Sequence, residues 1–237
     1  SSEGNVNIKI KESSIEAEIN RELSISFSDL TSTISKHDLK VKSNFGSLYR
    51  TAEEIFETQQ SELFLENYSL DVLSLYAPTT GIELICAPKI WLKRDVEKKI
   101  KEALEGNIAA VKVKGDYYSL KNKENEYFVV KSLNLDDEKV NFLYSKEWPT
   151  KLEIWPSEAE ILKADPLGVQ PEFRLLASLD FCYVPYHFVY DLYFPVLVQV
   201  SKEQEIFQFP VIVVIDKNKA RIAEDIKTAE LGLDICD

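Results

Sequence analysis

The sequence predicts an α+β protein whose antiparallel sheet is built on one long C-terminal β-hairpin. Two apolar runs, 189–200 and 206–215, are rich in Val, Ile, Phe and Tyr, and the polar link 201–205 separates them. β-Branched and aromatic residues suit a pleated surface, and five polar residues suit a hairpin loop. Pro195 and Pro210 cannot donate to a ladder, so we expect each of them at a bulge or an unpaired edge.

The first part of the chain predicts a β-meander. Apolar residues alternate with polar ones in three short runs: Val6, Ile8 and Ile10; Ile15, Ala17 and Ile19; Leu23, Ile25 and Phe27. This alternation indicates strands that share one apolar face. Strand character continues through 30–34 and 39–41, and Gly46 lies where the meander ends. We therefore divide the chain into a meander over 1–46 and an α+β core over 47–237 that packs with it, with one composite domain as the alternative.

A long amphipathic helix is predicted over 47–77, packed on the hairpin sheet. Its apolar positions recur close to every 3.6 residues: Leu48, Ala52, Ile55, Leu63, Leu70, Leu73 and Ala77. Glu66 and Asn67 interrupt this stripe, so we expect one kinked helix or two helices that meet there. The helix should end before Pro78, because the residue that precedes a proline disfavours helical geometry.

A second amphipathic helix is predicted to open at Trp91, with Leu92, Val96, Ile100 and Leu104 on its inner face. Its outer face is rich in lysine and could dock an acidic partner. Acidic residues alternate with these lysines, however, which favours pairing of charges along a solvated helix.

From residue 109 onwards the pattern returns to strands, which we expect at 110–113, 127–130, 140–144 and 152–155. Short helices are predicted from Ser157 to Lys163 and over 173–179. The tail, 220–237, is a polar helix candidate that contains the third cysteine, Cys236.

The composition is that of a globular protein with 45% hydrophobic and 29% charged residues. The formal net charge of -12 argues against nucleic acid and against an anionic membrane surface as partners, because both would repel it. The sequence does not begin with Met and contains none, so we expect a fragment or a processed form.

Motifs for the common chemistries are absent from the sequence. The seven glycines are too dispersed for a dinucleotide or phosphate loop, and neither H-E-x-x-H nor C-x-x-C occurs, so we predict no cofactor and no metal. Cys182, His187 and Asp191 resemble a nucleophile, base and orienting acid, but residues five positions apart on a regular strand point to opposite faces. We therefore interpret Cys182 as structural and assign no catalytic residue.

Several stretches resemble an uncharacterised group of archaeal cell-surface proteins, and the similarity extends along nearly the whole chain. The stretches are 47–55, 65–71, 86–91, Trp148-Pro149, 164–167 and 186–195, the last reading Tyr-His-Phe-Val-Tyr-Asp-Leu-Tyr-Phe-Pro. In that group a pilin-like hydrophobic segment near the N-terminus anchors an outward-facing ectodomain. The resemblance implies that this chain is such an ectodomain, anchored by a segment it lacks, and it implies no activity.

An exported location leads to three predictions, two about cysteines and one about an asparagine. Cys86 and Cys182 lie in strongly structured stretches, so we expect them to form a disulfide, with two buried thiols as the alternative. Cys236 would then pair outside this chain or remain a reactive thiol. Asn67-Tyr-Ser69 is an N-glycosylation sequon, and we expect Asn67 to be exposed at a bend.

Function is predicted as non-enzymatic contact with a protein or an envelope component. The alternative is a hydrolase or a ligand-binding domain whose site the sequence order hides. A pocket of convergent titratable groups with shifted pKa values would favour the alternative, whereas a broad exposed apolar patch would favour the interaction module. The sequence leaves the partner and the oligomeric state open.

Overall fold

The structure of the chain is a computed structural model that describes residues 5–28, 30–113, 129–130, 132–133, 135, 137–169 and 181–221. Its helices are α1 (Phe45–Glu62), α2 (Phe64–Tyr76) and α3 (Lys93–Asn107), the last continued by a 3-10 turn. Its strands are β1 (Asn5–Lys11), β2 (Ser14–Phe27), β3 (Leu30–Lys42), β4 (Thr80–Glu83), β5 (Lys89–Leu92), β6 (Lys112–Val113), β7 (Val129–Val130), β8 (Lys139–Leu143), β9 (Lys151–Ile154), β10 (Ile161–Ala164), β11 (Leu167–Val169), β12 (Phe181–His187), β13 (Tyr190–Lys202), β14 (Glu205–Asp216) and β15 (Lys219–Ala220). Helices and antiparallel sheets occur together, so the predicted α+β class is confirmed.

Strand β13 lies at the centre of the largest sheet. It pairs with β14 along one edge, and with β9 and then β8 along the other. Pro195 lies in the gap between the β9 and β8 pairings, and Pro210 lies on β14 before the short pairing with β15 begins. Each proline thus has a partner on one side, Ile212 for Pro195 and Leu197 for Pro210, and no strand on its other side in the described chain, which is where a sheet tolerates proline.

The core lies between this sheet and the helices. Alternate residues of β13, from Leu192 to Val200, are buried, as expected for a strand with one face on the core. Helix α1 contributes Leu48 and Ile55 to the same cluster, and α2 contributes Leu73.

The helix predicted over 47–77 is two helices that meet at Leu63, not at Glu66 and Asn67. Leu63 takes a left-handed backbone with φ of 52°, yet its amide still donates to Gln59 and its carbonyl still accepts from Asn67. The backbone hydrogen bonds therefore continue through Leu63, where α1 ends and α2 begins. Glu66, the charged residue within the apolar stripe, is buried where the two helices meet.

Three smaller sheets accompany the core in the described residues. Strand β12 lies between β11 and β4, β5 pairs with β10, and the two-residue strands β6 and β7 form a parallel pair. The helix expected to open at Trp91 begins at Lys93, because Trp91 pairs with Leu162 across β5 and β10. The helix expected from Ser157 to Lys163 is wrong for the same reason, since its last residues form β10.

Strands β1, β2 and β3 form a separate antiparallel sheet, which we call the arm. Strand β2 has 14 residues and therefore spans about 45 Å. The predictions at 114–128, at 173–179 and beyond 221, including Cys236, lie outside the described residues. The division into a meander over 1–46 and a core over 47–237 stays a prediction.

Candidate interaction surface on the N-terminal arm

The register of the arm sorts its side chains onto two faces of opposite character. Residues directly opposite each other in an antiparallel pair lie on the same face. Val6 pairs with Ile19, and Ile8 with Ala17, so the apolar runs of the first two strands coincide. One face, which we call the arm face, consists of Val6, Ile8, Ile10, Ile15, Ala17, Ile19, His37, Leu39 and Val41.

The outer strands of the arm face are open to solvent. Val6 and Ile10 are each 55% exposed, Leu39 is 58% exposed and Ile8 is 63% exposed. The middle strand is half-buried between its neighbours, with Ile15 and Ile19 as examples. An amphipathic sheet normally packs its apolar face on a core, so a contiguous uncovered face of this kind indicates a contact site.

The opposite face of the arm is a lattice of ion pairs. Glu16 bridges Lys11 at 2.6 Å and Lys40 at 3.0 Å, and Lys36 contacts Glu18 at 2.8 Å. The hydrogen bond from Lys11 is the main cause that holds the pKa of Glu16 below its usual range. Exposed pairs of this kind contribute little to stability. This face therefore suits water, and the arm face does not.

Beyond the three-stranded part, β2 and β3 continue alone as a ribbon. A bulge between Asn20 and Leu23 shifts the register, and the ribbon then runs to the turn after Phe27. Ser24 and Thr33 share a hydroxyl hydrogen bond of 3.3 Å, whereas Phe27 is 80% exposed. The tip of the arm thus presents an exposed aromatic side chain.

The arm joins the body through the turn between β1 and β2. The carbonyl of Glu12 accepts a hydrogen bond from the Ser47 amide at the start of α1, and the Glu12 carboxylate pairs with Arg50. A Cβ placed on Gly46 would lie 2.3 Å from the carbonyl oxygen of Lys11, so only glycine allows this approach. The base of the arm therefore sits directly on helix α1.

The tip of the main hairpin supports the same junction. The Glu205 carboxylate, on β14, accepts hydrogen bonds from the Asn44 amide at 2.8 Å and from the Ser43 hydroxyl at 3.0 Å. Ser43 and Asn44 connect β3 to α1. The arm is thus held by two groups of polar contacts, one to the helix through Glu12 and one to the hairpin through Glu205, and its apolar face takes part in neither.

A polar cavity of about 360 Å³ lies beside the junction, and it is the strongest candidate for an enzymatic site in the described residues. Inside it, the Glu138 carboxylate accepts from the Ser47 hydroxyl at 2.6 Å and from the Lys202 ammonium at 2.8 Å. Burial by itself would raise the pKa of Glu138, but these two hydrogen bonds prevail and lower it to about 2.

Glu138 and Lys202 form an ion pair to which Ser47 donates a hydrogen bond, and this arrangement does not suit acid–base catalysis. A general base works best with a pKa near the operating pH, which Glu138 is far from. Ser47 already donates to that carboxylate, and Lys202 is its counter-ion. Activating a serine through lysine would require a neutral amine, which the carboxylate opposes.

The three residues that resemble a catalytic triad in the sequence do not interact with one another as a triad would. They are Cys182, His187 and Asp191. Cys182 is bonded to Cys86 and therefore offers no thiol. The Nε2 atom of His187 lies 3.0 Å from the side-chain Nδ2 atom of Asn218, and the Asp191 carboxylate accepts from the backbone amide of Lys217 at 2.8 Å. The interpretation of Cys182 as structural agrees with this arrangement.

The predicted disulfide between Cys86 and Cys182 is present. It joins the loop after β4 to strand β12, and the two Cα atoms are 4.8 Å apart. Strand β12 also pairs with β4, so the disulfide fastens two neighbouring segments that are 96 residues apart in sequence. Disulfides persist in oxidising environments, so this one is compatible with an extracellular domain.

Asn67 is exposed in the first turn of α2, four residues after the break between the helices. Its side-chain amide donates to the carbonyl of Glu62 at 3.2 Å. Glycosylation at Asn67 stays a prediction, as does the partner of Cys236.

Comparison of the chain with models of protein families, with curated proteins and with solved structures finds no significant match. In the part of the chain that the structure describes, no helix combines the length and the apolar composition needed to cross a membrane. Among the same residues, His, Cys, Asp and Glu side chains form no group of three or more that could hold a metal ion.

Proposed function

We propose that this chain is the non-enzymatic ectodomain of a membrane-anchored archaeal surface protein and that it contacts a protein or envelope partner through the arm face. The observation that carries the proposal is the uncovered apolar face of β1, β2 and β3. Water disfavours such a face, so a partner that covers it gains the free energy of apolar burial.

The placement of the arm supports this role. The long hairpin of β13 and β14, with α1 and α2 packed on it, gives the arm a rigid base, and the junction at Gly46 and Glu205 fixes where the arm leaves that base. Recognition elements on a rigid scaffold bind with less loss of conformational entropy. The arm is therefore suited to reach a partner that the body does not touch.

The surface location rests on two supports of different kinds. The disulfide between Cys86 and Cys182 suits an oxidising compartment. The stretch 186–195 and the others named above resemble archaeal surface proteins, and this resemblance implies a membrane anchor and an outward-facing orientation.

The alternative of a hydrolase or ligand-binding domain would need a site with groups poised for chemistry. The cavity at Glu138 holds several titratable groups, but its most buried carboxylate, Glu138, is already bonded to Ser47 and Lys202. The arm face, in contrast, is open along its whole length. On this comparison the interaction module is the better supported function.

Binding of the labelled chain to intact cells of the organism that encodes it tests the proposal. We expect saturable binding that Ile8→Lys weakens at least tenfold, because a charge on the arm face opposes its burial. The matched control is Asn7→Lys, which makes the same change of charge on the same strand but on the polar face. Equal loss in both variants, or no binding by the unaltered chain, would remove the support for this function.

A further inference from the structure

We propose that the partner of the arm face is the arm face of a second copy of this chain, so that two arms pack face to face as a symmetric sandwich. This inference rests on the proposed function, because it names the occupant of the same surface. It is carried by the charge distribution, the lysines at the sheet edges and the area of the face.

The arm is electrically neutral in a strongly acidic protein. Residues 5–42 contain six basic and six acidic side chains, whereas the whole chain has a net charge of -12. Nearly all of the excess negative charge therefore lies in the body. Two bodies repel each other, but two arms do not, and a projecting arm lets them meet while the bodies remain apart.

The arm face itself is chemically self-complementary. None of its members is an acid, a lysine or an arginine, and His37 is its single titratable member. A partner of different chemistry would be selected by complementary charges or by a shaped pocket, and the arm face, which carries no acid, lysine or arginine, offers no charges for such selection. Two such faces related by a twofold axis bury apolar side chains against each other without placing like charges in contact.

The edges of the arm discourage the other mode of self-association, in which strands add side by side. Strand β1 carries Lys9 and Lys11, and β3 carries Lys36, Lys40 and Lys42. Lysines on edge strands are a common protection against edge-to-edge pairing. Face-to-face packing at a spacing of about 10 Å, as in β-sandwiches, leaves these lysines in water.

The area of the face is enough for a reversible dimer. Its five most exposed members are Val6, Ile8, Ile10, Leu39 and Val41. Together they expose on the order of 500 Å² per copy, so two copies would bury about 1,000 Å², which is near the lower limit for a specific interface. We therefore expect a weak dimer that forms readily at the high local concentration of a cell surface.

Sedimentation equilibrium of the 237-residue chain over a range of concentrations tests the inference. We expect a reversible monomer–dimer equilibrium whose Kd rises at least tenfold in Ile8→Lys and in Leu39→Lys. Asn7→Lys should leave the Kd within about twofold of the unaltered chain. Circular dichroism should show that all three variants are folded, which is expected because the substituted side chains are exposed.

Salt separates apolar from ionic association. Added NaCl should strengthen the dimer or leave it unchanged, because it screens repulsion between the bodies and ion pairs make no part of the contact. A dimer that salt dissociates would overturn the face-to-face arrangement, as would a dimer that Asn7→Lys weakens as much as Ile8→Lys.

A cysteine at position 8 gives an independent readout. In a Cys236→Ala background, a bifunctional thiol cross-linker should join two copies of Ile8→Cys, whereas it should not join two copies of Asn7→Cys. A chain that remains monomeric at all concentrations, and that does not cross-link, contradicts pairing of two copies. If that chain still binds cells through Ile8, the proposed function stands and only the identity of the partner is wrong.

Discussion

The side-chain carboxyl group of Glu66 accepts the hydrogen bond that a neighbouring strand would otherwise accept from Val214. Its Oε1 atom accepts the backbone amide of Val214 at 3.2 Å, and its Oε2 atom accepts from the side chain of Gln59. Strand β15 pairs only with the last two residues of β14, so the amide of Val214 would otherwise be buried without an acceptor. The break between α1 and α2 brings Gln59 and Glu66 together at this edge.

This arrangement predicts that stability depends on pH. Burial raises the pKa of Glu66 to about 7, although the hydrogen bonds from Gln59 and Val214 act in the opposite direction. The folded protein therefore keeps a proton that the unfolded chain loses near pH 4.5, so the stabilisation is complete below that pH and is lost as the pH rises to about 7. The loss should be on the order of 3 kcal/mol.

Urea unfolding at several pH values measures this effect. Glu66→Gln should flatten the dependence between pH 4.5 and 7, even though the substitution also lowers stability by disturbing Gln59. The control is Glu53→Gln, at an exposed position of α1, which should leave the slope unchanged. A slope that persists in Glu66→Gln would mean that another group is responsible.

The break between α1 and α2 shows which features of the fold could be predicted from the sequence and which could not. Periodicity revealed the apolar stripe of α1 and α2, but it placed the break at Glu66 because a charged residue usually faces water. Glu66 instead points inward and bonds to β14, a contact between residues 148 positions apart. A left-handed leucine at position 63 has no local signature, so tertiary packing determines where the helix turns.

The structure of the arm could be predicted from the sequence to a similar extent. Alternation in Val6, Ile8 and Ile10 indicated strands with one apolar face, but alternation cannot tell whether that face is covered. The contacts that leave it open, at Gly46 and Glu205, join segments distant in sequence. Strand β10 was missed because its pairing with β5 is likewise non-local, and no periodic pattern marks four residues.

The junction at Gly46 predicts opposite outcomes for two glycine substitutions. Gly46→Ala would place a methyl group against the carbonyl of Lys11, so it should destabilise the protein by about 2 kcal/mol or displace the base of the arm. Gly106→Ala, in α3, meets nothing within 4 Å and should be neutral or stabilising by up to about 1 kcal/mol. Thermal unfolding of the two variants provides the comparison, and similar midpoints would show that the close approach at Gly46 is not a constraint.

Removing only one partner of the ion pair between Glu138 and Lys202 should lower the free energy of unfolding substantially. Lys202→Met leaves a buried carboxylate without its cation and should destabilise by about 3 kcal/mol. Removing both charges, in Lys202→Met with Glu138→Leu, should cost less than the sum of the single changes. A double-mutant cycle from denaturant unfolding measures the difference, and Lys98→Ala, which loses an exposed pair with Glu102, should change stability by less than about 1 kcal/mol. Additive costs in the cycle would indicate that Glu138 and Lys202 do not interact.

The disulfide should make a large contribution to stability. Replacing Cys86 and Cys182 by alanine opens a loop of 96 residues, for which the chain-entropy model gives a loss of about 4.7 kcal/mol. Cys236→Ala should have no such effect. Thiol titration of the native chain should find one reactive group and three after reduction, whereas three before reduction would contradict the disulfide.

The central claim is that the arm face, and not the polar face beside it, is covered by a partner on the cell. Site-specific photo-cross-linking in the native organism measures this directly, with the photoreactive amino acid placed at position 8 in one strain and at position 7 in another. The proposed function predicts a discrete adduct from position 8 and none from position 7, and the further inference predicts that the adduct has the mass of two copies of the chain. Equal adducts from both positions, or none from position 8, would contradict the claim.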